Sequence, residues 1–101
     1  MNLIFSLAAE KEVEDAAGYY ESQETGLGLR FLNELNRATA FIVQFPYAWS
    51  SISPRSRRCC LRYFPYNVIY SVQADTITIV TVVHQSRDPE SWQTLLHEMG
   101  L

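Results

Sequence analysis

The chain has 101 residues, of which 48% are hydrophobic and 13% aromatic, and a formal net charge of −3. That length sets a single domain, residues 1–101, with enough apolar material for one core. It holds no apolar run of the roughly 18 residues that a membrane helix needs and no cysteine set for a disulfide framework or a zinc site, and its opening residues, without a basic stretch and soon acidic, lead us to expect no secretory signal.

Charge is divided unevenly along the chain. Residues 1 to 34 set Lys11 and Arg30 against seven carboxylates, which is −5; residues 35 to 101 set six arginines against four carboxylates, which is +2. The two cysteines, Cys59 and Cys60, are neighbours and point to opposite sides of an extended chain. They are expected as reduced, largely buried thiols of a cytoplasmic protein. The chain has no glycine-rich phosphate loop, metal-ligand spacing or nucleophile–base motif, so neither cofactor nor metal is expected.

Residues 2 to 6, NLIFS, read as a short strand, with Ser6 placed to cap a following helix and Glu10 and Glu12 near its positive end. From 7 to 24, Ala9, Val13, Ala16, Ala17 and Tyr20 recur at spacings of three and four, which predicts an amphipathic helix. TGLG at 25 to 28 breaks it. A second helix is predicted from 29 to 45, with Phe31, Leu35, Ala38, Ile42 and Phe45 as its stripe and Pro46 as its stop. So short a connection makes the two helices an antiparallel hairpin. Residues 46 to 56, rich in serine and proline, read as a loop.

Three strands follow, at 57 to 64, 66 to 73 and 76 to 84, divided by Pro65 and by a turn at Ala74 and Asp75. Tyr66, Val68, Tyr70 and Val72 share one face of the second, and the third is strongly β-branched. Their short connections require antiparallel pairing. Asp88 as N-cap and Pro89 as first helical residue open a short helix carrying Trp92, Leu95, Leu96 and Met99. The order β-α-α-β-β-β-(short α) groups helices apart from strands. That is an α+β fold, with the helical hairpin on one face of a mainly antiparallel sheet.

The stretch RRCCLRYFPYNVIYSV, 57 to 72, concentrates positive charge on a predicted core strand. Strict alternation would put Cys59, Leu61 and Tyr63 beneath the helices and Arg58, Cys60, Arg62 and Phe64 on the other face. Arg58 and Arg62 would then stand roughly 13 Å apart along one side. Arg55 and Arg57 extend the charge into the loop, and Arg87 joins it if the third strand ends nearby. Such a cluster suits a nucleic-acid backbone, the carboxylates of a protein partner, or a strand edge guarded against aggregation.

Taken in order, AEKEVEDAAGYYESQETGLGLRFLNEL, RRCCLRYFPYNVIYSV and ITIVTVVHQSRDPESW resemble the ParE/RelE superfamily of bacterial toxin–antitoxin systems. The most specific parts are YYE, the GLG…RFL helix start, R-x-FPY-x-VIY and H-x-x-RDP-x-x-W, and the ParE-like branch is the nearer. The resemblance implies a toxin from a plasmid-stabilisation type of system, held inactive by a cognate antitoxin in a hetero-oligomer. It implies DNA gyrase as target for a ParE-like member, and messenger RNA cleavage on the ribosome for a RelE-like one. Contact with target or antitoxin falls to Arg58, Arg62, Arg87 and Trp92.

For RelE-like cleavage the pattern carries over poorly. Arg58 keeps a basic residue, but Cys60, Asn67 and Trp92 stand where a lysine, an arginine and a tyrosine are expected, and Ser86 falls near a second arginine. The resemblance therefore implies binding rather than catalysis. A rearranged nuclease would need His84, Arg87, Arg58 and Tyr66 in proton-transfer and phosphate-binding roles. His84 otherwise reads as a structural histidine bonded to backbone near a strand end, and His97 as solvent-facing.

Overall fold

A computed structural model describes all residues, 1–101. Its elements are β1 (Asn2–Phe5), α1 (Leu7–Gln23), α2 (Leu27–Gln44), β2 (Ser50–Ser53), β3 (Ser56–Cys60), β4 (Tyr66–Gln73), β5 (Thr76–His84) and α3 (Pro89–Glu98). The five strands form one sheet in the order β1-β5-β4-β3-β2. β1 is parallel to β5, and every other pair is antiparallel. The expected α+β architecture is present. No helix is long and apolar enough to cross a membrane.

The helical hairpin closes through small residues and one carboxylate. Gly26 takes φ +89°, a left-handed turn that leaves α2 without a cap from its own N-cap residue. Glu21 of α1 supplies one instead, its carboxylate accepting from Gly26 N (3.0 Å) and Gly28 N (3.1 Å) at the positive end of α2. Gly28 also lets the helices meet: a Cβ there would lie 2.6 Å from the Ala17 carbonyl oxygen. The hairpin lays Ala9, Ala16, Phe31, Leu35 and Ile42 over Val68, Tyr70, Ile77, Ile79 and Val82 of the sheet. Tyr66, Val68, Tyr70 and Val72 do share that face. At its edge Tyr20, Phe31, Phe64 and Tyr66 form an aromatic cluster with ring centroids 4.9–6.2 Å apart.

A second core lies on the opposite face, where Trp92 and Leu96 of α3 pack on Ile69, Val80 and Val83. A bulge makes the two cores compatible. Ile69 pairs with Thr81 but Tyr70 with Ile79, so Val80 is the extra residue. Ile79 and Val82 can therefore face the hairpin while Val80 and Val83 face α3. Both ends of α3 are closed. Asp88 accepts from Glu90 N at 3.0 Å, Gly100 at φ +74° ends the helix with Leu101 N donating to Leu96 O at 2.8 Å, and Ser53 Oγ holds the Leu101 carbonyl at 2.7 Å.

Several expectations are corrected. Part of the predicted 46–56 loop is β2, a four-residue edge strand of three serines and one isoleucine with no alternation to betray it. β3 stops at Cys60 rather than continuing to 64, because Leu61 and Phe64 both turn in beneath the hairpin. Tyr63 is consequently exposed, and so is Cys60. Phe45 lies past the end of α2, is exposed, and does not join its buried stripe.

Candidate functional site

The arginines singled out in the sequence do not line one side of one strand. Arg58 is exposed on β3, in register with Ile69, on the sheet face that α3 partly covers. Beside it, Cys60 faces Asn67 across β3–β4, and Asn67 faces Val83 across β4–β5. The Asn67 side chain is buried, and its Oδ1 has no hydrogen-bond partner. Arg62 is on the loop beyond β3, its guanidinium over the Tyr63 ring at 5.3 Å, where it borders α2. The expected spacing of Arg58 and Arg62 along one face therefore does not occur. Arg57 is partly buried and tied down, its Nη1 donating to the carbonyls of Tyr47 (3.1 Å) and Trp49 (2.7 Å). Trp92 is a packing residue of the second core, buried against the sheet rather than presented for contact.

Tyr66, His84 and Arg87 do come together. Tyr66 and His84 are register partners on β4 and β5 with ring centroids 5.2 Å apart, and both line a cleft of about 230 Å³ with Arg87, Glu12, Asp15 and Tyr19. His84 Nδ1 accepts from Ser86 N at 3.0 Å, so the neutral ring carries its proton on Nε2. The backbone bond that a structural histidine would make is thus present. Burial, reinforced by Tyr19, pushes the Tyr66 phenol above its ordinary value. Arg58, the fourth member of the rearranged nuclease set, lies on the other face of the sheet.

Glu12 is the residue of this region that sequence reasoning misplaced. It reads as a partner for the helix dipole, but its task is at a strand edge. β1 pairs only with residues 76–79 of β5, which leaves the rest of that edge without a strand. Ser6 covers the first part, N to Ile79 O (2.9 Å) and Oγ to Val80 O (2.6 Å). Glu12 covers the next, accepting from Val82 N (3.2 Å) and Thr81 Oγ1 (2.8 Å). Burial raises the Glu12 pKa, against the opposing pull of these hydrogen bonds and of Arg87.

The folded state therefore holds this proton at pH values where the unfolded chain has released it. Glu12 contributes least to stability above its folded pKa and more as pH falls toward its ordinary value. Glu12→Gln keeps an acceptor but cannot titrate. Thermal melts from pH 7 to pH 4.5 should show wild type gaining on Glu12→Gln as the solution is acidified. Parallel profiles would show that the carboxylate is not desolvated.

Chemically, the face around Arg58, Cys60 and Asn67 offers one guanidinium, a thiol and a carboxamide. A carboxamide takes no part in general acid–base transfer, so this arrangement suits recognition. No group of three or more His, Cys, Asp or Glu is placed to hold a metal ion. Over residues 3–89 the sequence matches the family described as the ParE toxin of type II toxin-antitoxin system, parDE. The chain belongs to the ParE toxin family.

Among solved structures, this ParE-family fold is similar to the chromosomal ParDE TA system from P. aeruginosa, with TM-score 0.60 and 14% identity over 83% of this chain and 95% of that one. It is similar also to the isolated E. coli RelE toxin, with TM-score 0.61 and 17% identity over 95% of this chain and 96% of the other. At such identities the likeness is one of fold. No curated protein matches the sequence. As a ParE-family toxin the chain is one half of a toxin–antitoxin pair.

Proposed function

We propose that this ParE-family toxin acts by binding DNA gyrase and holding it in a harmful state on DNA, and that its cognate antitoxin neutralises it in a hetero-oligomer. The observation that carries this reading is the side-by-side placement of Cys60 and Asn67 on the sheet, at two positions where a RelE-like nuclease is expected to carry cations. Arg58 remains there as a contact residue, with Arg62 and Arg87 at separate places on the surface. In a supercoiling assay the purified protein is expected to inhibit gyrase. On programmed ribosomes it should leave messenger RNA intact.

One observation favours a second reading. Tyr66, His84 and Arg87 share a cleft, and a histidine, a phenol and a guanidinium can together serve phosphodiester cleavage. Ribosome-dependent cleavage abolished by His84→Ala, with supercoiling untouched, would replace the gyrase reading with this one.

A further inference from the structure

β3 ends on two neighbouring cysteines that the fold treats differently. Cys59 is buried in the hairpin-side core, and burial pushes its thiol up to about 11, which keeps it protonated and inert. Cys60 points to the opposite face and is exposed. The pair cannot close on itself. Adjacent Cα atoms are about 3.8 Å apart, short of the roughly 4.4–6.8 Å that a disulfide spans. The chain has no third cysteine, so a disulfide at Cys60 needs a sulfur from another molecule.

Two neighbours on that face have polar groups to spare. Leu61 N donates to Tyr66 O at 2.9 Å, which makes that pair a ladder position. Cys60 and Asn67, the next pair, are therefore closely spaced, with Cα atoms about 4.5 Å apart and side chains on the same side. Asn67 is only 9% exposed, and its buried Oδ1 has no donor. Such an acceptor costs free energy until a donor is supplied. Arg58 precedes Cys60 by two residues on the same face, about 7 Å along the strand. It is exposed and has no carboxylate partner, since the one ion pair of the chain is Lys11–Asp15.

We infer that Cys60 is a site of S-thiolation by a small anionic peptide disulfide, of the class of oxidised glutathione. The Cys60 thiolate attacks one sulfur of that disulfide. A new S–S bond forms to Sγ as the old one breaks, and the electron pair leaves on the second peptide thiolate, which takes up a proton. Cys60 is oxidised and the departing peptide reduced, with no further oxidant. In the adduct a peptide carboxylate meets Arg58, and a peptide N–H donates to Asn67 Oδ1. The inference concerns thiol chemistry alone and stands whether or not gyrase is the target.

The reduced full chain is treated with oxidised glutathione, or with cystamine, a cationic disulfide of similar reactivity class. Trypsin releases Cys59–Arg62 as one peptide, and its fragmentation by mass spectrometry locates the adduct. Folded protein should carry one glutathione, on Cys60, whereas protein in urea should be modified at both cysteines. With rates normalised to those of 2-mercaptoethanol, a neutral thiol, glutathione should be preferred over cystamine by about tenfold. In 1 M salt, where the screening length falls to about 3 Å, that preference should shrink. Arg58→Glu should invert it. Asn67→Val removes the waiting acceptor and should lower the equilibrium constant for the glutathione adduct several-fold while the melting transition stays cooperative.

Modification of Cys59 in the folded chain would overturn the inference. So would equal normalised rates for the two disulfides, or an adduct as stable in Asn67→Val as in wild type, since either would make Cys60 an ordinary surface thiol. Loss of both thiols without added mass would mean that the neighbours bridge after all. A covalent dimer that persists in excess oxidised glutathione and is lost in Cys60→Ser would assign the thiol to a second copy of this chain.

Discussion

Phe31→Ala should cost about 4 kcal/mol, a large share of the roughly 5–15 kcal/mol that holds a domain together. Phe31 is fully buried and touches Tyr20, Phe64 and Tyr66, with ring centroids 5.3–5.5 Å away. It is where α1, α2, β4 and the loop after β3 meet. Three aromatic neighbours cannot collapse into the space left, so the cavity term adds to the lost transfer energy. Phe31→Leu keeps most of the volume and should cost nearer 1.5 kcal/mol. Urea unfolding of the three proteins measures both values. A loss below about 1 kcal/mol for the alanine variant would mean that the aromatic cluster does not hold the hairpin to the sheet.

Alanine at two glycines should act with opposite signs. At Gly28 the new Cβ would sit 2.6 Å from the Ala17 carbonyl oxygen, and 3.1 Å from the Cβ and Oε1 of Glu21. The backbone of α1 cannot yield as a flexible side chain could. The helices must separate, and the Glu21 carboxylate must leave the start of α2. A loss of about 3 kcal/mol is expected, well beyond the gain of about 1 kcal/mol in helix propensity. Gly18 lies within α1 with nothing within 4 Å of a Cβ, so Gly18→Ala should stabilise by up to about 1 kcal/mol. If both variants moved the urea midpoint in the same direction, the close approach at Gly28 would not govern the hairpin.

What could be read from the sequence follows the range of the forces concerned. The helical stripes and the capping by Ser6 and Asp88 are local patterns, and they appear where periodicity places them. The end of β3 is not local. Alternation keeps Leu61 beneath the hairpin but would carry Phe64 to the other face; the aromatic cluster draws Phe64 in instead, and Tyr63 is left exposed. Position Trp92 suggested contact through family resemblance, yet the bulge at Val80 shapes a second core that needs the indole. Glu12 reads locally as a partner for the helix dipole because the donors it satisfies are about 70 residues away.

The parallel pairing of the first strand with the last has a temporal consequence. At a translation rate of about 5–20 residues per second, β1 waits about 4–15 s before residues 76–79 exist to receive it. Until then the nascent chain has a helical hairpin and no complete floor beneath it. Premature stop codons anywhere before Thr76 should yield fragments that cannot assemble the sheet and are harmless to the cell that makes them. Assembly of the sheet is thereby gated by completion of synthesis.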